Sequence, residues 1–129
     1  MSEEPEDFLE LAEKATEDYR KGKKVEMSVR ALFNRLYYAA FYSAKAALMS
    51  IGEKPKTHQG TSHLVFKILH HEKNEIDKET ASLLADLERL REEADYQVEF
   101  NETLDEVSQK ASEVEDFIRK MKKIVEKET

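Results

Sequence analysis

Three short stretches hold the side chains with which this chain could do chemistry. The first is Asn34-Arg35-Leu36-Tyr37-Tyr38-Ala39-Ala40-Phe41-Tyr42, where three tyrosines and an arginine fall close together at helical spacing. Such a set can stack on a planar base while Arg35 meets a phosphate. Aromatics at this spacing also fill cores, and Tyr37 and Phe41, four residues apart, are expected to do so. The second is Lys54-Pro55-Lys56-Thr57-His58-Gln59-Gly60, a loop with two lysines, a hydroxyl and an imidazole ahead of a helix. That composition suits either an anion held by backbone N–H groups and positive charge or an ordinary capped loop. The third is Arg89-Leu90-Arg91-Glu92-Glu93-Ala94-Asp95-Tyr96. Arg91 and Asp95 are four apart and can pair within a helix, although basic-before-acidic is the weaker order for helix stability. Tyr96 follows Arg91 by five positions, about 140° round an α-helix, so the two need not face the same way.

Several chemistries have no residues to run on. The absence of cysteine removes disulfides, thiolate metal sites and thiol nucleophiles. The three glycines are isolated, so there is no phosphate-cradling glycine loop. No His-Glu-x-x-His pattern and no serine-triad signature occur, and His63, His70 and His71 read as solvated or core-edge histidines. No metal and no cofactor are expected.

The elements that position these stretches read as helices throughout, with no two-residue alternation of a half-buried strand. Pro5 suits a first helical turn, and Phe8, Leu11, Ala12, Ala15 and Tyr19 keep helical spacing up to Gly22. A second helix from about Val25 to Ile51 is apolar round much of its circumference and so is expected to be central. Gly52 and Pro55 end it, and Glu53 to Gly60 reads as a loop. A shorter third helix turns Leu64, Val65, Ile68 and Leu69 inward. Asp77 is placed to cap the fourth, with its stripe Leu83, Leu84, Leu87, Leu90 and Ala94. Thr103 and Glu106 form a capping box opening the fifth, whose inward positions are Val107, Ala111, Val114, Phe117 or Ile118, Met121 and Val125. Short links between long helices predict one all-α domain over residues 1–129, an up-and-down bundle of four to five helices.

The 129 residues are 40 % apolar and 38 % charged, enough for one modest core under a densely charged surface. The formal net charge of −7 is unevenly spread: from Met27 to His71 the only acid is Glu53, so this segment carries +5 and the rest −12. An acid-poor stretch on an acidic body can mark an anion-binding face, or simply a core helix with fewer charges. The acidic start Met1-Ser2-Glu3-Glu4-Pro5-Glu6-Asp7 and the lack of any long apolar run predict a cytoplasmic protein with neither signal peptide nor membrane span.

Taken together, the sequence resembles the HEPN superfamily of small helical bundles, and within it the UPF0332 branch. The resemblance rests on Asn34-Arg35-x-Tyr37-Tyr38-Ala39-x-Phe41, Lys56-Thr57-His58-x-Gly60 and Leu90-Arg91-x-x-Ala94-Asp95-Tyr96, in family order over about Tyr19 to Gln97. It implies a homodimer whose two sites face each other across a cleft, often working beside a small nucleotidyltransferase as a toxin–antitoxin pair. Many relatives resemble ribonucleases built on an arginine followed by a histidine; here Arg91 takes the first position and Tyr96 the second. A tyrosine stays protonated at neutral pH, so Tyr96 can donate but is a poor base.

The leading expectation is therefore nucleotide or RNA-phosphate binding. Arg91 holds the phosphate from an exposed seam between subunits, Asp95 orients it, Tyr96 contacts the ligand, and Arg35, Tyr38, Lys56 and His58 extend the site. The alternatives are a metal-independent ribonuclease, with His58 as base if the fold brings its loop to the fourth helix, and a non-catalytic protein-interaction module.

Overall fold

The computed structural model describes residues 3–128; Met1, Ser2 and Thr129, the ends of the expected domain, lie outside the described residues. Five helices follow one another: α1 (Pro5–Lys24), α2 (Val29–Ser50), α3 (His58–Leu64), α4 (Lys78–Tyr96) and α5 (Leu104–Glu128). No strand occurs among the described residues. The helix α3 runs directly into a π-helical segment, Val65–Glu72.

The architecture is organised by α2. It packs most extensively on α1, then on α5 and α4, whereas α4 and α5 touch each other little. Twelve of its residues are buried, among them Leu32, Phe33, Leu36, Tyr37 and Leu48. Between these large residues sit Ala39, Ala40, Ala44, Ala46 and Ala47, all fully buried. Small side chains on several faces let α1, α4 and α5 approach one helix at once, which the all-round apolar pattern requires.

The ends of the elements follow local chemistry. Ser28 caps α2 by accepting from the Ala31 N–H at 3.2 Å, so this helix starts later than its apolar pattern suggests. The intervening turn places Glu26 at φ 57°. Gly52, at φ 89°, ends α2 in the left-handed conformation open to glycine. Asp77 caps α4 by accepting from the Thr80 N–H at 2.7 Å. That bond holds its carboxyl below the usual carboxylate range. Thr103 and Glu106 form the reciprocal box at the start of α5.

The structure adjusts three further details. Leu11 of α1 is exposed rather than core. On α5 Phe117 and Ile124 are buried while Ile118 is partly covered, deciding which residue points inward. The lysine loop is shorter than the composition implies, because Thr57 caps a helix that already begins at His58.

Because α2 is enclosed by neighbours, enlarging one of its alanines must displace a packed helix. Ala44→Leu is expected to cost about 1–3 kcal/mol, read as a shifted midpoint in urea unfolding; an unchanged midpoint means that α2 is not packed from all sides.

Candidate functional site

The site forms where α3 and α4 meet the middle of α2. Tyr37 is fully buried, and its hydroxyl is hydrogen-bonded to Nδ1 of His58. The His58 ring stacks on Phe41, with centroids 4.4 Å apart and planes 10° apart. Tyr38 meets both Tyr37 and His58 edge-on, at 5.1 and 6.1 Å. From α4, the Arg91 guanidinium lies over the Tyr37 ring, 5.0 Å from its centroid. The same guanidinium bonds Asp95 at 3.0 Å, one helical turn on. Thus Arg91, from the third stretch, and His58, from the second, share one tyrosine of the first.

The placement of His58 follows from its helix start. The Thr57 hydroxyl accepts from the Gly60 N–H at 2.8 Å. A Cβ at Gly60 would sit 2.8 Å from the same oxygen, closer than side-chain carbons approach, so the cap needs glycine there. Thr61, buried one position on, returns its hydroxyl to the Thr57 carbonyl at 2.9 Å. The Lys56-Thr57-His58-x-Gly60 pattern is therefore the chemistry of a tight cap that presents an imidazole at the first helical position.

Electrostatics sharpen the roles. Burial, then the nearby Glu88 carboxylate, push the Tyr37 hydroxyl well above the ordinary tyrosine value, so it stays protonated. The bond engages Nδ1 of His58, so Nε2 is the other polar atom of that ring. Burial works against the Arg91 charge, but the surrounding Tyr38 and Tyr37 hydroxyls and the Asp95 carboxylate outweigh it and hold the guanidinium above its usual value. Only 15 % of the Arg91 side chain is exposed. Its Nε is buried with no hydrogen-bond partner among the described residues. This departs from the expectation of a guanidinium held out to water: the attraction of the Tyr37 ring face draws it down onto α2.

The other expected site residues lie around this centre. Lys56 is exposed two positions before His58, and Arg35 stands one turn before Tyr38 on the same face of α2. Arg35 bonds only the Asn34 side chain, at 3.4 Å. Neither Arg35 nor Lys56 makes an ion pair among the described residues. Tyr96 is 80 % exposed at the last residue of α4, well round the helix from Arg91 as their spacing implies. Among the described residues no three metal-ligating side chains gather at one point.

The HEPN domain family model matches residues 5–128. The chain belongs to the HEPN domain family. It is also 33 % identical over 125 residues to a UPF0332 protein of Archaeoglobus fulgidus, covering 94 % of this chain and 98 % of that protein. In this HEPN protein no helix among the described residues is long and apolar enough to cross a membrane.

Sequence reasoning overlooked two members of this cluster. Tyr37 reads as core, and it is core, yet its hydroxyl organises the cluster. Glu88 is buried and accepts from the Ser62 hydroxyl at 3.2 Å. A signal existed, since Leu84, Glu88, Arg91 and Asp95 continue one stripe along α4, so polar residues take over a line that begins apolar. The buried phenol has a measurable consequence. An unfolded tyrosine ionises near pH 10, whereas Tyr37 holds its proton to higher pH. Its contribution to stability is therefore full below about pH 10 and lost as pH climbs toward the folded value. Tyr37→Phe is expected to flatten the fall of melting temperature above about pH 10 and to cost about 1 kcal/mol at neutral pH; parallel curves for variant and wild type refute this.

Proposed function

We propose that this HEPN protein binds the phosphate of a nucleotide or RNA strand at the Arg91–Tyr37–His58 cluster. In this reading it is a single helical domain that acts as a cytoplasmic homodimer, in a toxin–antitoxin-like pair with a small nucleotidyltransferase. The observation that carries the reading is the meeting of Arg91 and His58 on Tyr37, since it puts a guanidinium and an imidazole on one buried support. Arg91 clamps the phosphate and Asp95 orients it through their 3.0 Å bond. His58 donates through Nε2, Arg35 and Lys56 add long-range attraction, and Tyr38 offers an edge to a base. Tyr96 contacts the ligand from the rim of the dimer cleft.

Binding is favoured over cleavage because a tyrosine, an ordinarily poor base, takes the second motif position. A ribonuclease working without metal needs a base for the 2′-OH. Nδ1 of His58 is already engaged by the Tyr37 hydroxyl, and Tyr96 brings no imidazole to the motif. RNA incubated with the protein and EDTA at several values between about pH 5 and pH 9 is therefore expected to stay intact. Cleavage that disappears in His58→Ala would establish the ribonuclease instead.

Binding itself is tested by fluorescence anisotropy with a short labelled RNA and with labelled ATP. Arg91→Gln is expected to weaken binding more than about tenfold, the worth of one charge-assisted bond, while lowering the melting temperature by only a few degrees, roughly one exposed ion pair and one ring contact. A large stability loss with unchanged affinity means that Arg91 is purely structural.

A further inference from the structure

The exposed large apolar side chains are Leu11, Val25, Tyr96, Val98 and Leu104. All but Leu11 lie at one end of the bundle, where α1 and α4 finish and α2 and α5 begin. Lys23 on α1 bonds the Ser108 hydroxyl of α5 at 2.6 Å, which brings Val25 to the start of α5. The segment joining α4 to α5 is held down by Arg30, whose guanidinium donates to the carbonyls of Ala94 and Val98 and lies 5.4 Å from the centre of the Phe100 ring. Phe100 in turn packs edge-on against Phe33 at 5.7 Å. The backbone of this segment is thus anchored while Val98 stands 97 % exposed. An anchored backbone that presents uncovered apolar side chains is a preformed contact surface, because little further ordering entropy is lost on docking.

Its charge says what fits. Residues 92–109 contain seven acids and no lysine or arginine; Glu93 and Asp95 are paired with Arg89 and Arg91, which leaves Glu92, Glu99, Glu102, Asp105 and Glu106, with Lys21, Lys23 and Lys24 at the end of α1. A phosphate backbone or an anionic membrane is repelled by such a surface. A two-fold contact centred on the segment joining α4 to α5 sets its acids against acids, whereas a basic partner meets them with opposite charge. We propose that this end of the bundle docks a basic segment of a partner protein, whose apolar residues cover Val98 and Leu104 and whose lysines or arginines meet Glu99, Glu102, Asp105 and Glu106. The surface does not depend on the phosphate site, because Arg91 is turned inward against Tyr37.

The test titrates the full chain by calorimetry with a synthetic lysine–leucine amphipathic helical peptide, and with its glutamate–leucine counterpart. The lysine peptide is expected to bind and to weaken as salt is raised. Val98→Ser combined with Leu104→Ser, and separately Glu99→Lys combined with Glu102→Lys, are each expected to lower its affinity about tenfold or more. All four positions lie outside the core, so both variants are expected to melt with the wild type. Arg91→Gln is expected to bind the peptide unchanged, which separates this result from the phosphate reading. No binding of the lysine peptide, equal binding of the glutamate peptide, or wild-type affinity in both double variants overturns the proposal. So does a serine variant that splits a homodimer in light scattering, since the end is then the chain's own interface.

Discussion

A phenol buried in a core must have its hydroxyl satisfied, or it costs as much as a lost hydrogen bond. Tyr37 is in that position at the centre of α2, and its hydroxyl pairs with one ring nitrogen on α3. That single bond, added to the Thr57 cap that starts α3, fixes how the His58 ring lies. The Arg91 guanidinium then rests on the face of the same ring, so α4 is registered to α2 through it. Core packing and site geometry are thus not separable here: the side chain that fills the middle of the bundle also arranges the two groups that can meet an anion. Tyr19 makes the contrast, with a hydroxyl buried on α1 and no hydrogen-bond partner among the described residues; it organises nothing.

The charge distribution follows from the same arrangement. The acid-poor stretch from Met27 to His71 is the central helix plus α3 and its π-helical continuation. Enclosure on several sides leaves α2 few positions for charge, so part of the asymmetry is plain burial. The cations that remain near the site are a different matter. Several arginines and lysines of α4 and α5 are matched to neighbouring acids, as in Arg89–Glu93, Arg119–Asp116 and Lys120–Asp116. Arg35 and Lys56 have no such acid among the described residues. An unpaired cation keeps its long-range field, and several around one cluster add up at short range.

Much of the fold was legible because amphipathic spacing and capping act over a few residues. The stripe of α4, the Asp77 cap and the Thr103–Glu106 box all rest on contacts within one or two turns. The start of α2 was less legible, because apolar Val25 extends the pattern while Ser28 offers a better cap. The π-helical widening of Val65–Glu72 has no sequence signal that we can name; it buries Val65, Ile68 and Leu69 and lets Nδ1 of His70 reach the Ile76 carbonyl at 2.9 Å. In the site, the pairing of Arg91 with Asp95 was readable from spacing alone. The Tyr37–His58 bond was not, since its partners are 21 residues apart and meet only through the turn between α2 and α3.

The divergence of Arg91 and Tyr96 bears most directly on chemistry. In this chain the position where relatives resembling ribonucleases place a histidine carries an exposed tyrosine at the end of α4. The imidazole beside the arginine comes instead from α3. The groups that meet on Tyr37 are a guanidinium and an imidazole, with the ammonium of Lys56 two residues before that imidazole in the chain. The acceptors nearby are already engaged, Asp95 by Arg91 and Glu88 by Ser62. A set rich in donors and short of free bases is matched to holding an anion rather than to pulling a proton from one. The same geometry leaves the outer end of α4 and the segment that follows it free of that task, so the two faces of one helix terminus can serve two different contacts.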